Sequence, residues 1–150
     1  PHFKISDLSG GSMLPGCLRV AKESIFTDYM KKTISIRDTF VKKPTKENFY
    51  HGLLLGILGF KENWSVMSNR ESGDGFSDIL IRIEDEDVGI VIEVKYASDG
   101  NMEKECENAL QQITDVRYTE ALEQEGIHKI IKYGVACYKK KCKVMMKIEE

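Results

Sequence analysis

Two acids and a lysine near the middle of the chain have the types and spacing to do chemistry. Asp78 opens the run Asp78-Ile79-Leu80-Ile81, and Glu93 and Lys95 interrupt Ile90-Val91-Ile92-Glu93-Val94-Lys95. Side chains of a strand alternate between faces, so the first run puts Ile79, Ile81 and Ile83 on one face and Asp78 on the other. In the second run Ile90, Ile92, Val94 and Tyr96 share a face, and Glu93 and Lys95 project together from the opposite one. Asp78 lies seven residues before Asp85, and Glu93 lies seven after Glu86. A two-residue turn at Asp85-Glu86 therefore sets Asp78 directly across from Glu93, with Lys95 as the diagonal neighbour. Facing carboxylates cost roughly 0.2–1 kcal/mol, and more where partly buried, so something positive belongs between them. Lys95 is one candidate, and a hard divalent cation ligated by both acids is the better one. The competing reading is a half-exposed hairpin with scattered surface charge, and a one-residue slip would send the acids to different faces.

The elements that must hold these residues follow from pattern. Residues 1–19, with Ser9, Gly10, Gly11, Ser12, Pro15 and Gly16, read as a tail or linker, and 20–150 as the domain. Phe26, Tyr29, Met30 and Thr33 recur at helical spacing, predicting a first helix from Ala21 to about Arg37. Thr45 can cap a second helix from Lys46 to about Leu58, ended by Gly59. Gly52 and Gly56 weaken that helix, which predicts close packing against another backbone there. Strands are predicted at about Asn63–Arg70, Phe76–Glu84 and Val88–Tyr96, then one long helix at about Met102–Gln124 closed by Gly126. Lys129–Tyr138 and Cys142–Ile148 read as a final hairpin across Lys139-Lys140-Lys141. The fold class is α/β, a mixed central sheet flanked by helices.

At these residues the chain resembles the PD-(D/E)XK nuclease superfamily. More closely, it is similar to a nuclease-like domain at the C-terminus of bacterial proteins carrying an AAA-ATPase-like region. The resemblance runs from about Glu47 to Met145 and rests on Glu47-Asn48-Phe49-Tyr50-His51-Gly52-Leu53, Gly73-x-Gly75-x-x-Asp78, Glu93-x-Lys95 and Ala109-Leu110-x-Gln112-Ile113, with Tyr118 beyond. It implies a restriction-endonuclease-like αβββαβ core and a divalent-metal-dependent nuclease, with Asp78, Glu93, Lys95 and Gln112 catalytic. Asp78 and Glu93 would ligate Mg²⁺ or Mn²⁺, with Glu47 completing the metal shell or orienting its waters. Lys95 would orient the attacking water and stabilise the charge that develops, and Gln112 would hold a water or phosphate oxygen. Ser77 stands where the superfamily's name has proline, and Asp74 and Phe76 stand where related domains often carry basic or polar residues. The implied partner is nucleic acid, DNA ahead of RNA, with an ATPase domain of the same longer protein and further copies of the chain left open. The rival from another class is an inactive nuclease-fold module that binds or regulates beside an ATPase.

Length and composition set the bounds. At 150 residues, 41% hydrophobic and 31% charged, the chain suits one folded domain. Its net charge of −2 excludes a dedicated basic coat protein, so any nucleic-acid contact must use local charge or a bound metal. Leu53–Leu58 is too short for a membrane span. Cys17, Cys106, Cys137 and Cys142 have no paired metal-ligand spacing and read as free thiols, which points to the cytoplasm. Glu47 also has a plain explanation as an acid near a helix N-terminus, and His51 as a packing histidine. Lys129, Lys132, Lys139, Lys140, Lys141 and Lys143 form the one basic concentration, either a solvated turn or a weak grip on a phosphate backbone. Gly73-Asp74-Gly75 precedes a strand and so is not a dinucleotide loop.

Overall fold

The computed structural model describes residues 27–28, 30–32, 46–58, 64–69, 78–83, 86–115 and 118–149, with backbone only at Asn69, Asp78, Tyr118, Glu120 and Ala121. After a few helical residues at 27–28 and 30–32, the order is α1 (Lys46–Leu58), β1 (Trp64–Asn69), β2 (Asp78–Ile83), β3 (Val88–Tyr96), α2 (Met102–Asp115), α3 (Tyr118–Gln124), β4 (Lys129–Tyr138) and β5 (Lys141–Glu149). The strands form one sheet in sequence order. β1, β2 and β3 make an antiparallel meander, and β4–β5 is an antiparallel hairpin. The two units join through the parallel pair β3–β4, which the helices α2 and α3 connect. This is the mixed, helix-flanked sheet of a restriction-endonuclease-like fold.

Alternation in the strands creates two cores. Ile79, Ile81 and Ile83 of β2, Ile90, Ile92 and Val94 of β3, and Tyr133 and Val135 of β4 pack with Tyr50, Leu54, Ile57 and Leu58 of α1. On the other face Leu80, Val91 and Ile130 pack with Leu110 and Ile113 of α2 and Leu122 of α3. Each apolar residue moved into these cores contributes about 1.5–3 kcal/mol. A one-residue slip would exchange the two sets, so the register is held from both sides.

Asn101 caps α2 by accepting from the Lys104 backbone N–H at 3.2 Å, and Glu103 and Glu105 suit its positive end. One long helix was expected at about Met102–Gln124; the described residues give α2 as far as Asp115 and α3 from Tyr118, with 116–117 outside them. Thr114 bonds back to the Leu110 carbonyl at 3.1 Å in the last described turn of α2, a contact that bends helices. Gly126, at φ 85°, closes α3 as expected. Its N–H bonds to the Glu123 carbonyl at 2.9 Å and the Ile127 N–H to the Leu122 carbonyl at 3.1 Å, while Leu122 and Ile127 share the core.

The expectation for Gly52 and Gly56 is overturned: both lie on the exposed side of α1, and a Cβ on either would meet nothing within 4 Å. The close approach belongs to Gly134 of β4, where a Cβ would fall 2.4 Å from the Cys106 carbonyl oxygen of α2. The first helix (Ala21–Arg37), the caps Thr45 and Gly59, and the Gly73-Asp74-Gly75 turn lie largely or wholly outside the described residues. No helix among the described residues is long and apolar enough to cross a membrane.

Candidate active site

The site begins with a register. β2 and β3 pair Asp78 with Glu93 and Ile83 with Val88. The connection therefore spans residues 84–87, four residues where two were expected, with Asp87 in the left-handed region at φ 51°. Lengthening the turn by one residue on each side leaves its centre unmoved, so the two acids still stand opposite each other.

Glu93 is fully buried on the α2 face of the sheet. Its Oε1 accepts a hydrogen bond from Gln112 Nε2 of α2 at 3.1 Å and lies 3.2 Å from Lys95 Nζ. Its Oε2 is also buried and has no hydrogen-bond partner among the described residues. An orphaned buried polar atom costs about 1–3 kcal/mol, and more when it carries charge. Lys95 is 15% exposed at its side chain, so an ammonium stands at the border between the buried carboxylate and solvent.

Helix phase explains why Gln112, and not Gln111, reaches Glu93. Ala109, Leu110 and Ile113 anchor α2 against the sheet, and Gln112 sits half-buried at the edge of that stripe. Gln111 points away and bonds Asp115 at 2.8 Å on the surface. Gln112 thus holds one oxygen of Glu93 and leaves the other without a hydrogen-bond partner among the described residues.

Glu47 arrives elsewhere. Half-buried in the first turn of α1, it accepts the Tyr96 backbone N–H on Oε1 at 3.3 Å, at the end of β3. Among the described residues no three His, Cys, Asp or Glu side chains form a group able to hold a metal. The Asp78 side chain is not among those described, although its backbone position is. His51 is buried against β1, 3.4 Å from Ser68 Oγ, in keeping with a packing role. The side chain of Tyr118 lies outside the described residues.

The basic concentration divides. Lys132 is buried and pairs with Glu149, so it grips nothing outside the fold. Lys129 starts β4, whereas Lys139 and Lys140 form the two-residue turn beyond its other end. A row of tyrosines near that end was not anticipated from the sequence: Tyr50 stacks on Tyr96 at 5.9 Å, and Tyr96 lies 6.2 Å from Tyr138. Burial pushes the Tyr50 phenol well above its ordinary range, so it stays protonated and donates to the Lys139 carbonyl. Aromatic residues at a strand end look like core from sequence alone, and only the alignment of α1 with β3 and β4 brings them together.

The family model of the PD-(D/E)XK nuclease superfamily matches residues 45–147, well over half of the chain. The chain belongs to the PD-(D/E)XK nuclease superfamily. No match was found among curated proteins or among solved structures. The matched span takes in α1, the whole sheet as far as Lys147, and both helices of the crossover.

Hard divalent cations take carboxylate oxygens, and among the described residues the buried Oε2 of Glu93 is such an oxygen, on a carboxylate whose other oxygen is already engaged.

Proposed function

We propose that this chain hydrolyses phosphodiester bonds of nucleic acid, DNA ahead of RNA, with Mg²⁺ or Mn²⁺ held by Asp78 and Glu93. One observation carries the reading: Glu93 is wholly buried, with Oε1 engaged by Lys95 and Gln112 and Oε2 unpartnered, opposite Asp78 in the sheet. A bound divalent ion supplies a water of lowered pKa and neutralises phosphate charge.

The protein's own groups do the rest. Gln112 donates to Oε1 and fixes the rotation of the carboxylate, so that Oε2 is the oxygen offered to the ion. Lys95 lies beside the same carboxylate with its ammonium near solvent, where it can stabilise negative charge developing on the phosphoryl oxygens. Glu47 holds the Tyr96 amide, the residue after Lys95, and so steadies the strand end from which the ammonium extends.

Calorimetric titration with Mn²⁺ tests the centre. Wild type should bind, and Asp78→Ala and Glu93→Gln should each abolish binding. Lys95→Met should retain the ion but lower cleavage of DNA on the order of 10²–10³-fold, the usual effect of removing one charge-stabilising donor. Absence of Mn²⁺ binding by wild type would falsify the reading. Binding without cleavage of single- or double-stranded DNA or RNA would leave a metal-binding module in regulatory use.

A further inference from the structure

We infer that Lys46 and Lys139, seated on the rings of Tyr96 and Tyr138, hold backbone phosphates of the nucleic acid. This rests on the nuclease reading above and adds to it a second set of contacts outside the metal centre. Lys46 Nζ lies 4.4 Å from the centroid of the Tyr96 ring and 3.2 Å from its hydroxyl. Lys139 Nζ lies 5.1 Å from the centroid of the Tyr138 ring. The two rings are neighbours in the row Tyr50, Tyr96, Tyr138, so the two ammoniums stand over adjacent members of one aromatic support.

β3 and β4 run parallel, so Tyr96 and Tyr138 finish their strands at the same end of the sheet. Alternation turns Tyr96 toward α1 and Lys95 toward the opposite face, so the row shares with Glu93 and Lys95 an end of the sheet and not a face. Lys139 is exposed at the tip of the β4–β5 turn, with φ 53°, and the Tyr50 hydroxyl fixes its carbonyl. Lys140 is turned aside, donating to the Lys31 carbonyl at 2.9 Å. A lysine lying on a ring loses much of its conformational freedom, which suits it to holding a passing polyanion. The net charge of −2 gives the chain no general attraction for nucleic acid, so binding must be local.

Fluorescence anisotropy with a labelled 20-nucleotide single strand and its duplex, in EDTA and across a NaCl series, tests this without turnover. Lys46→Ala and Lys139→Asn should each weaken binding about 3- to 10-fold near 0.1 M salt. Each should also flatten the slope of log affinity against log salt by about 0.7–0.9, one phosphate contact apiece. Asparagine is chosen because it tolerates the left-handed backbone at Lys139. Lys139→Arg should restore both affinity and slope. Lys129→Ala, at the other end of β4 and about 30 Å away along the strand, should change neither. Unchanged affinity and slope in the Lys46→Ala, Lys139→Asn double variant overturn the inference, as does a wild type that binds no nucleic acid. Binding that depends on both lysines in a chain that never cleaves upholds it while removing the nuclease reading.

Discussion

At the scale of single residues, the site turns on one carboxylate with two differently treated oxygens. Lys95 and Gln112 share Oε1 of Glu93, and Oε2 is left for something else. Gln112→Ala removes the neutral donor without changing charge, so the carboxylate regains a rotation that the glutamine suppresses. Mn²⁺ affinity should then fall about 10- to 100-fold, the usual effect of losing a group that orients a metal ligand. Gln112→Glu should do worse, because it sets a third acid against Glu93. An unchanged Mn²⁺ isotherm in Gln112→Ala would show that the hydrogen bond is packing and nothing more.

At the scale of elements, one glycine in the sheet and one in a helix make opposite forecasts. Gly134→Ala would press a methyl group into the Cys106 carbonyl at the α2–β4 crossing, and urea unfolding should show a loss of about 1–3 kcal/mol. Gly52→Ala adds a methyl group to open space in a helix interior and should raise stability by up to about 1 kcal/mol.

The same contrast marks what a sequence reveals. α1 matches its expected span, β3 matches to the residue, and the facing of Asp78 and Glu93 follows from counting toward the turn. These are local properties, set by alternation and spacing along neighbouring segments. The tight glycine was assigned to α1 and found in β4, because a crossing helix leaves no trace in the strand it crosses. The bond from the Tyr96 amide to Glu47 had no signal in the sequence, because the reach of α1 over the sheet depends on packing between distant segments. Gln112 was singled out by the family resemblance alone, and its bond to Glu93 required the parallel crossover to place α2 over β3.

At the scale of the whole molecule, alkaline pH should loosen the fold through its buried phenols. Burial pushes Tyr133 from its ordinary 10.0 up to about 12, and Tyr50 moves in the same direction for the same reason. Between about pH 10 and 12 the unfolded chain releases these protons first, so stability is intact below pH 10 and falls as pH rises through that window. Urea midpoints at pH 9 and pH 11 should differ less in Tyr133→Phe than in wild type. Equal differences would show that other groups govern the alkaline limb.

The β4–β5 hairpin carries one more consequence. Cys137 and Cys142 face each other across it, both buried and unbridged. The Cys137 carbonyl accepts from Ala97 N–H and the Cys142 N–H reaches Thr27 Oγ1, so neither bonds across the pair and the two side chains take the closer of the two antiparallel spacings. Burial, with Cys142 and Cys106 nearby, keeps the Cys137 thiol protonated and so a poor nucleophile while the fold is closed. Opened chains lose that protection together with the fold, so preparations handled without reductant should accumulate crosslinked material from their unfolded fraction first.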